Sequence, residues 1–288
     1  MERKMNMLRK FLCIAAAALT AFMSGCTAKT NKVSIDEVGK GLTIYSFKAG
    51  KADAELIYGD DWAVLIDCGE KGFGKHITAY MEEQGIKKLD YLIITHFDKD
   101  HVGGAAKILR SCEVGTVLQS NSPKESEEYD NYLEELKNQG ITAQTVREDM
   151  TFTLGEAVFT IDPPAQEAYE KEPSNNSSLI TEVTLGDVNM LFAGDAENDR
   201  LAEFTTSNNK TYQFVKVPYH GHWQKQLKPF AQSIKADIAV ITSSDEEPED
   251  KDTVDLFKKC GAEVFLTRTD SVIAKCDGKN IAAEYDNS

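Results

Sequence analysis

Four side chains that can bind a metal ion fall within six residues, directly after an apolar run that is typical of a buried strand. They are His96, Asp98, Asp100 and His101, and the apolar run before them spans residues 91–95. Imidazole nitrogens mixed with carboxylate oxygens suit Zn²⁺, Mn²⁺ or iron better than Ca²⁺ or Mg²⁺. The segment therefore predicts a site for one of these ions at the end of a strand.

The remaining histidines strengthen this prediction, because the chain holds five and four of them lie in two short segments. His220 and His222 follow the apolar run 213–217, and Asp195 follows a further apolar run that ends at Phe192. Three predicted strand ends thus present His or Asp side chains. This is the arrangement expected where ligands from separate parts of a chain converge on one pocket.

The elements around these segments alternate between short apolar runs and amphipathic stretches. Helices are predicted at about 74–84, 104–110, 125–138, 197–205, 228–234 and 252–259. Strands are predicted at about 42–47, 54–58, 63–66, 91–95, 116–119, 142–146, 157–161, 178–185, 188–192, 213–217, 238–242 and 264–266. Each half then forms a mixed sheet with helices outside it, which predicts an α/β fold of two sheets packed face to face between helical layers.

The first 25 residues have the basic start and the short apolar run of an export signal, and at 13 residues the run is too short to cross a bilayer. The segment 23–26 resembles a bacterial lipobox, so we expect lipidation at Cys26 and a location on the outer face of the cytoplasmic membrane. An ordinary secretory signal or a retained anchor are the alternatives. Residues 26–40 are predicted to be a polar tether, and residues 41–288 one domain.

The charge of the chain is strongly negative, with a formal net value of −15. Cleavage before Cys26 would remove four basic residues and one acidic residue, which moves the net charge to −18. A field of this sign repels long polyphosphate chains and disfavours processive nucleic-acid binding.

Cys260 and Cys276 could form a disulfide or remain free thiols, since spacing alone does not decide between them.

Five segments together resemble the metallo-beta-lactamase superfamily, and most closely its branch like the ComEC DNA-uptake competence protein. They are Leu65-Ile66-Asp67-Cys68-Gly69, the HxDxDHxGG run at 96–104, Asn175-Asn176-Ser177-Ser178-Leu179, Gly194-Asp195, and Lys216-Val217-Pro218-Tyr219-His220-Gly221. The resemblance covers nearly all of residues 41–288. It implies an αββα four-layer sandwich with a metal site at one edge of the two sheets.

The resemblance also implies how one or two divalent ions, Zn²⁺ or Mn²⁺, would be bound. His96 and Asp98 would bind one ion, and the other would be bound by Asp100, His101 and His220. Asp195 would bridge the two ions, and Asp67 would orient a ligand from behind. Asp98 stands where the superfamily commonly has His, Tyr219 stands where this branch often has His, and Asn175, Asn176 and Ser178 stand where many members supply another His.

These residues predict a metal-dependent hydrolase that uses a metal-activated water. The resemblance to the ComEC-like branch, and that resemblance alone, implies phosphodiester bonds as its substrate. The expected catalytic residues are Asp100, Lys216, His222 and Asn176, and the last three are candidates to stabilise the oxygen that becomes charged. The expected partners are a small phosphodiester or short nucleic acid and, through the N-terminal lipid, the membrane. A lactam, lactone or other small ester or amide is an alternative substrate. A non-catalytic, lipid-anchored binding protein that retains the fold is the remaining alternative.

Overall fold

The computed structural model describes residues 33–287, whose strands form two β-sheets. The strands are β1 (Leu42–Ser46), β2 (Glu55–Tyr58), β3 (Ala63–Ile66), β4 (Lys88–Ile94), β5 (Glu113–Gln119), β6 (Gln144–Thr145), β7 (Met150–Leu154), β8 (Ala157–Asp162), β9 (Ile180–Leu185), β10 (Val188–Phe192), β11 (Phe214–Lys216), β12 (Ile238–Ile241), β13 (Glu263–Leu266), β14 (Val272–Cys276) and β15 (Ile281–Tyr285). The first sheet has the order β15-β14-β1-β2-β3-β4-β5-β6 and the second has β13-β12-β11-β10-β9-β8-β7.

The helices cover the outer faces of these two sheets. They are α1 (Gly74–Glu83), α2 (Lys99–Val102), α3 (Ala105–Ser111), α4 (Glu127–Gln139), α5 (Asn198–Ser207), α6 (Leu227–Ile234) and α7 (Lys251–Lys259). In α6, apolar residues recur at the spacing of one helical face, namely Leu227, Phe230, Ala231 and Ile234, and all four are buried in the core shared with the second sheet. Short 3-10 turns lie at Ile35–Glu37, Asn175–Ser177 and Tyr219–Gly221.

Strand β3 shows how the layers arise from the sequence. Val64 and Ile66 belong to the core between the two sheets, whereas Ala63 and Leu65 belong to the core between the first sheet and its helices. Alternate side chains of a strand point to opposite faces, so a strand covered on both faces reads as one continuous apolar run. With a third core behind the second sheet, the molecule has four layers, and the predicted αββα sandwich is confirmed.

The neighbouring strands β3 to β6 run parallel in the first sheet, and β10 to β13 run parallel in the second. The carboxyl ends of parallel strands lie at the same edge of a sheet, which is where α/β proteins bind their ligands. The remaining neighbours are antiparallel. The segments that precede β2 and β9 therefore reach the same edge.

The structure differs from the prediction at the C-terminal end of the chain. Strands β14 and β15 are not predicted from the sequence, and β14 pairs antiparallel with β1, from Leu42 opposite Cys276 to Ser46 opposite Val272. The end of the chain thus completes the first sheet. Strand β7 and the single-turn helix α2 are also additional to the prediction.

The folded part begins before Gly41, which is the predicted domain boundary. Ile35 is buried within its 3-10 turn, and Gly39 N donates to Asp277 Oδ2 at 3.1 Å.

The predicted export signal, Cys26 and residues 26–32 of the predicted tether lie outside the described residues. A membrane crossing would need a longer and more apolar helix than any in residues 33–287. Cys260 and Cys276 are free thiols, so the disulfide alternative is not realised.

Candidate metal centre

The site lies at one edge of the two sheets, where strands from both sheets end. Asp67 and His96 follow β3 and β4 in the first sheet, while Asp195 and His220 follow β10 and β11 in the second. His101 comes from α2, which begins three residues after His96. The topology of the fold therefore brings together side chains from four separate strand ends.

Three imidazole rings each point their Nε2 atom toward the same place at this edge of the sheets. The Nε2 atoms of His96, His101 and His220 are buried and have no hydrogen-bond partner within residues 33–287. Asp195 Oδ2 lies 3.3 Å from His101 Nε2 and 3.0 Å from His220 Nε2. Asp100 Oδ2 lies 3.5 Å from His220 Nε2. Buried polar atoms that lack a partner are rare, and here they converge on one place.

The other nitrogen of each ring fixes which nitrogen carries the proton. His101 Nδ1 lies 2.8 Å from Asp67 Oδ2, and His220 Nδ1 lies 3.0 Å from Thr242 Oγ1. His96 Nδ1 lies 3.1 Å from Thr95 Oγ1, which itself donates to Asp67 Oδ2 at 2.6 Å. Each Nδ1 is therefore a donor, so Nε2 is the nitrogen that remains to bind either a proton or a metal ion. This is the arrangement found in histidines that bind metal ions.

The atoms that meet at the site repel one another unless a proton or a metal ion lies between them. The imidazole Nε2 lone pairs and the carboxylate of Asp195 are all hydrogen-bond acceptors. Burial alone would lower the pKa of His220, but Asp195 and Asp100 raise that pKa above its ordinary value. Burial would raise the pKa of Asp195, but His220 and His101 hold that pKa well below its ordinary value. A divalent cation would compete with protons for these ligands.

Four overlapping groups of three described residues could hold a metal ion, and two of these groups contain Asp53, which is already paired with Lys216. The other two consist of predicted ligands, and the one that Asp195 extends to four residues is called the complete set. Asp100, His101 and His220 each offer an atom within 4.8 Å of the others, and Asp195 contacts both imidazoles. Two carboxylates and two imidazoles fit Zn²⁺ or Mn²⁺. His96, His101 and Asp195 form a second group that shares two of its members with the first set.

Asp98 stands apart from both sets. Its Oδ1 lies 3.8 Å from His96 Nε2, but the same oxygen accepts hydrogen bonds from Lys124 Nζ and from Ser174 Oγ. Within residues 33–287 Asp98 belongs to none of the groups of three or more residues that could hold a metal ion. The structure therefore brings His96, Asp100, His101, Asp195 and His220 together and leaves Asp98 at the margin.

Asp67 supports two of the three rings from behind, as the sequence resemblance implies. It is buried, and its φ of 58° is a left-handed value that non-glycine residues seldom adopt. Its Oδ1 accepts from Thr95 N at 2.8 Å, and its Oδ2 contacts Thr95 Oγ1 and His101 Nδ1. Strained backbone of this kind is often found where a functional side chain must be held in one position.

We expect Asp67→Asn to weaken metal binding about 10–100-fold, which is the usual effect of losing such a partner. With its oxygen on Thr95 N, the new amide would turn its NH₂ group toward His101 Nδ1. His101 would then carry its proton on Nε2, where the metal ion must bind. Isothermal titration with Zn²⁺ measures the change, and Asp187→Asn, at an exposed position, is the matched control. Unchanged affinity in Asp67→Asn would exclude this role.

A buried ion pair that the sequence analysis does not identify lies behind the same histidines. Asp53 and Lys216 are both almost fully buried and form a close salt bridge. Asp53 Oδ1 accepts from Thr242 Oγ1 at 2.6 Å, and Asp53 Oδ2 lies 3.8 Å from His101 Nδ1. The one signal in the sequence is Lys216 itself, because a lysine inside an apolar strand needs a buried anion as its partner.

The residues predicted to stabilise a charged oxygen have different surroundings. Lys216 Nζ donates to Gly194 O at 3.1 Å and to Asp53, and it lies 3.7 Å from Asp195 Oδ1. Asn176 is buried and uses both ends of its side chain, since Nδ2 donates to Lys171 O and Oδ1 accepts from Arg200 N. These two residues thus have supporting contacts within the protein rather than groups open to a substrate.

His222 is the predicted oxygen-stabilising residue that faces solvent, with 31% of its side chain exposed. Its ring packs edge-on against Tyr219, with 5.2 Å between ring centroids. Burial, together with the positive charges of Lys51 and His220, lowers the pKa of His222. The ring is therefore neutral at pH 7 and can donate one hydrogen bond.

Two lysines that the sequence analysis does not identify lie beside the ligands. Lys51 Nζ lies 3.8 Å from Asp100 Oδ2 and 3.6 Å from Glu247 Oε2. Lys124 Nζ binds Asp98 Oδ1. Both side chains are partly exposed, at 23% and 37%. The site therefore has a positive group on the side of Asp100 and another on the side of Asp98.

The turn that carries His220 has an unusual backbone. Tyr219, His220 and Gly221 have φ values of 51°, 50° and 76°, so three successive residues are left-handed. Each non-glycine residue in this region costs about 1–2 kcal/mol. The turn is held by Tyr219 N, which donates to Gly194 O at 3.3 Å, and it aims His220 Nε2 at Asp195.

A family model and two curated relatives match this chain. Residues 50–243 match the model described as the metallo-beta-lactamase superfamily. ComE operon protein 3 of Bacillus subtilis is 25% identical over 170 residues, which are 59% of this chain and 22% of that protein. Recombination protein 2 of Haemophilus influenzae is 24% identical over 251 residues, which are 84% of this chain and 28% of that protein. The chain thus spans less than a third of the length of either relative.

Among solved structures, the metallo-beta-lactamase fold protein YhfI of Bacillus subtilis is similar to this chain. The two share a TM-score of 0.53 and 13% identity, over 79% of this chain and 96% of YhfI. At this level of identity the similarity concerns the fold alone. It agrees with the two sheets and the outer helices described above.

Proposed function

This chain belongs to the metallo-beta-lactamase superfamily of metal-dependent hydrolases, and we propose that it hydrolyses a small phosphodiester or a short nucleic-acid strand. The family is the one that the five sequence segments predict. The single observation that carries the proposed substrate class is the pair of lysines, Lys51 and Lys124, on the two sides of the metal-binding residues. The export and lipid anchoring predicted from residues 1–26 belong to the same proposal.

The two ammonium groups favour a substrate with a negatively charged reacting group. A phosphodiester carries its charge on the oxygens next to the bond that breaks, so both lysines can contact them while the metal-binding residues face the phosphorus. A lactam or a lactone is neutral next to the bond that breaks, so two positive charges contribute less to its binding. The proposal therefore ranks phosphodiesters above lactams and lactones.

The size of the substrate follows from the charge of the whole protein. The formal net charge of −15 repels a long polyanion, whereas a small diester meets mainly the local field of Lys51 and Lys124. One of the curated relatives is named for recombination, a process that acts on nucleic acids, which supports a phosphodiester as the reacting group.

The residues of the site that bind the cation or the substrate have separate roles in this reaction. When bound, a divalent cation supplies a hydroxide nucleophile near neutral pH and polarises the phosphoryl group. Asp100, His101, Asp195 and His220 would hold that cation, and Asp67 and Thr242 fix the orientation of the rings of His101 and His220. Lys51 and Lys124 bind and orient the phosphoryl oxygens. His222, neutral and partly exposed, donates a hydrogen bond at the mouth of the site.

The proposal is tested by a comparison of substrates. We expect the purified chain with Mn²⁺ or Zn²⁺ to hydrolyse bis-(p-nitrophenyl) phosphate and short oligonucleotides, with nitrocefin and a simple lactone turned over more slowly. Chelation with EDTA should abolish the activity, and added metal should restore it. Faster hydrolysis of the lactam or lactone, or no turnover of any phosphodiester with either metal, would contradict the proposed substrate class.

Lys51→Met should lower kcat/KM for bis-(p-nitrophenyl) phosphate about 10–100-fold. A hydrogen bond to a charged group contributes about 1.5–3 kcal/mol, and each ~1.4 kcal/mol is a factor of ten. The matched control is Lys88→Met, because Lys88 also pairs with a carboxylate, Asp90, at 2.8 Å but lies away from the site. Steady-state kinetics at low and high salt measure the effect. Equal kinetics for wild type and Lys51→Met would rule out this contact.

A further inference from the structure

The carboxylate of Asp98 already holds a cation that belongs to the protein. Lys124 Nζ and Ser174 Oγ both donate to Asp98 Oδ1, and this is the oxygen that lies 3.8 Å from His96 Nε2. A metal ion between His96 and Asp98 would compete with these two donors for the carboxylate. The ammonium and hydroxyl groups already occupy the oxygen of Asp98 for which the contact with His96 is given.

The contacts on Asp98 come from two separate loops, which distinguishes them from an isolated surface ion pair. Lys124 lies between β5 and α4, and Ser174 lies immediately before the 3-10 turn Asn175–Ser177. The second loop is itself anchored, because Asn176 binds Lys171 O and Arg200 N. The side chain of Asp98 is only 27% exposed. The arrangement is therefore built into the fold.

Without Asp98, the position next to His96 has few ligands of its own. His96 Nε2 remains in a group with His101 and Asp195, and both of these partners also belong to the complete set. The complete set has two carboxylates and two imidazoles. A second divalent ion between His96 and Asp98 would also lie close to the ammonium of Lys124. Two positive charges that close together repel each other strongly.

We propose that this chain is a one-metal hydrolase in which Lys124 takes the place of a second ion. One divalent cation binds Asp100, His101, Asp195 and His220, and the ammonium of Lys124 supplies the positive charge on the side of Asp98. Lys124 then contacts a phosphoryl oxygen that a second metal ion would otherwise contact. This inference rests on the proposed function and specifies how the charge of the site is divided between the metal ion and the protein.

The inference predicts the number of ions that the full chain binds. Wild-type protein, dialysed against excess Zn²⁺ and then against metal-free buffer, should retain one ion per chain by inductively coupled plasma mass spectrometry. Lys124→Met removes the charge and keeps much of the length of the side chain, so it should retain two. In isothermal titration, the affinity for the second ion should rise at least tenfold. Lys124→Arg keeps the charge and should retain one ion.

Two further variants separate this role from a general effect on the protein. Lys71→Met is the matched control, since Lys71 pairs with Glu127 at 2.6 Å on the surface, and it should bind one ion like wild type. Asp98→Asn added to Lys124→Met should remove the second ion again.

Two tightly held ions in wild type, or a single ion in Lys124→Met, would overturn the inference while leaving the proposed hydrolase intact. The absence of any tightly held ion in wild type would overturn the proposed function and this inference with it. The two failures are therefore distinguishable in one set of measurements.

Discussion

His220→Asn should abolish tight metal binding and should reduce hydrolysis more than Asp67→Asn does. Losing a residue that only orients a metal ligand costs about 10–100-fold, and His220 is itself a ligand. His220 Nε2 lies 3.0 Å from Asp195 Oδ2 and 3.5 Å from Asp100 Oδ2, so its ring joins the two carboxylates of the complete set. Asn is the appropriate replacement because His220 has a φ of 50°, and Asn tolerates left-handed backbone better than most residues.

The measurements for this variant are metal content, kcat/KM for bis-(p-nitrophenyl) phosphate, and thermal unfolding in the presence of EDTA. The unfolding temperature without metal should stay close to that of wild type, so that the loss of activity reports the ligand and not the fold. His76→Asn is the matched control, since His76 is exposed on α1 and lies outside the site. Full metal content and activity in His220→Asn would refute the assigned ligand set.

The second large effect is expected on stability, from Asp53→Asn. This change removes the nearer of two carboxylates from the buried ammonium of Lys216 and leaves Asp195 Oδ1 at 3.7 Å. Breaking a buried ion pair costs about 3–5 kcal/mol of unfolding free energy. For a domain of this size that corresponds to a fall in Tm of about 6–20 °C. Metal affinity should fall as well, because Asp53 accepts from Thr242, which orients His220.

The double variant Asp53→Asn, Lys216→Met separates the loss of the pair from the exposure of one partner. Replacing both members by neutral side chains removes the uncompensated charge, so we expect it to recover part of the lost stability. Urea unfolding of wild type, Asp53→Asn, Lys216→Met and the double variant supplies the four free energies of unfolding, and Asp187→Asn is the control. A change of less than about 1 kcal/mol in Asp53→Asn would show that the pair is not structurally important.

The convergence of the candidate ligands could be predicted from the sequence because these residues lie in dense motifs at strand ends. His96, Asp100 and His101 share one segment, and Asp195 and His220 each follow a buried strand. Parallel strands bring their carboxyl ends to one edge, so recognising the strands was enough to place these side chains together. The four-layer fold followed from the same alternation of strands and helices.

The supporting residues could not be predicted, because each depends on a partner that is distant in sequence. Asp53 pairs with Lys216, and Lys124 reaches Asp98 from a separate loop. No motif marks Asp53 or Lys124, and their partners are defined only when the two sheets are assembled. The same reason explains β14, whose pairing with β1 joins residues more than 200 positions apart.

Residue type alone was also insufficient to assign the groups that contact a substrate. Lys216 and Asn176 have suitable polar groups, but burial and internal hydrogen bonds occupy those groups. Lys51 and Lys124 lie beside the ligands and remain partly exposed. Burial thus decides which lysine can meet a substrate, and burial of an individual lysine cannot be read from the sequence.

The most direct test of the metal centre is anomalous diffraction from crystals of the protein grown with Zn²⁺ or Mn²⁺. Data collected on both sides of the absorption edge of the metal locate bound ions independently of any activity. We expect one strong peak among Asp100 Oδ2, Asp195 Oδ2, His101 Nε2 and His220 Nε2. No peak at that place, or a strongest peak bound by other residues, would contradict the assignment of these four side chains as the metal ligands.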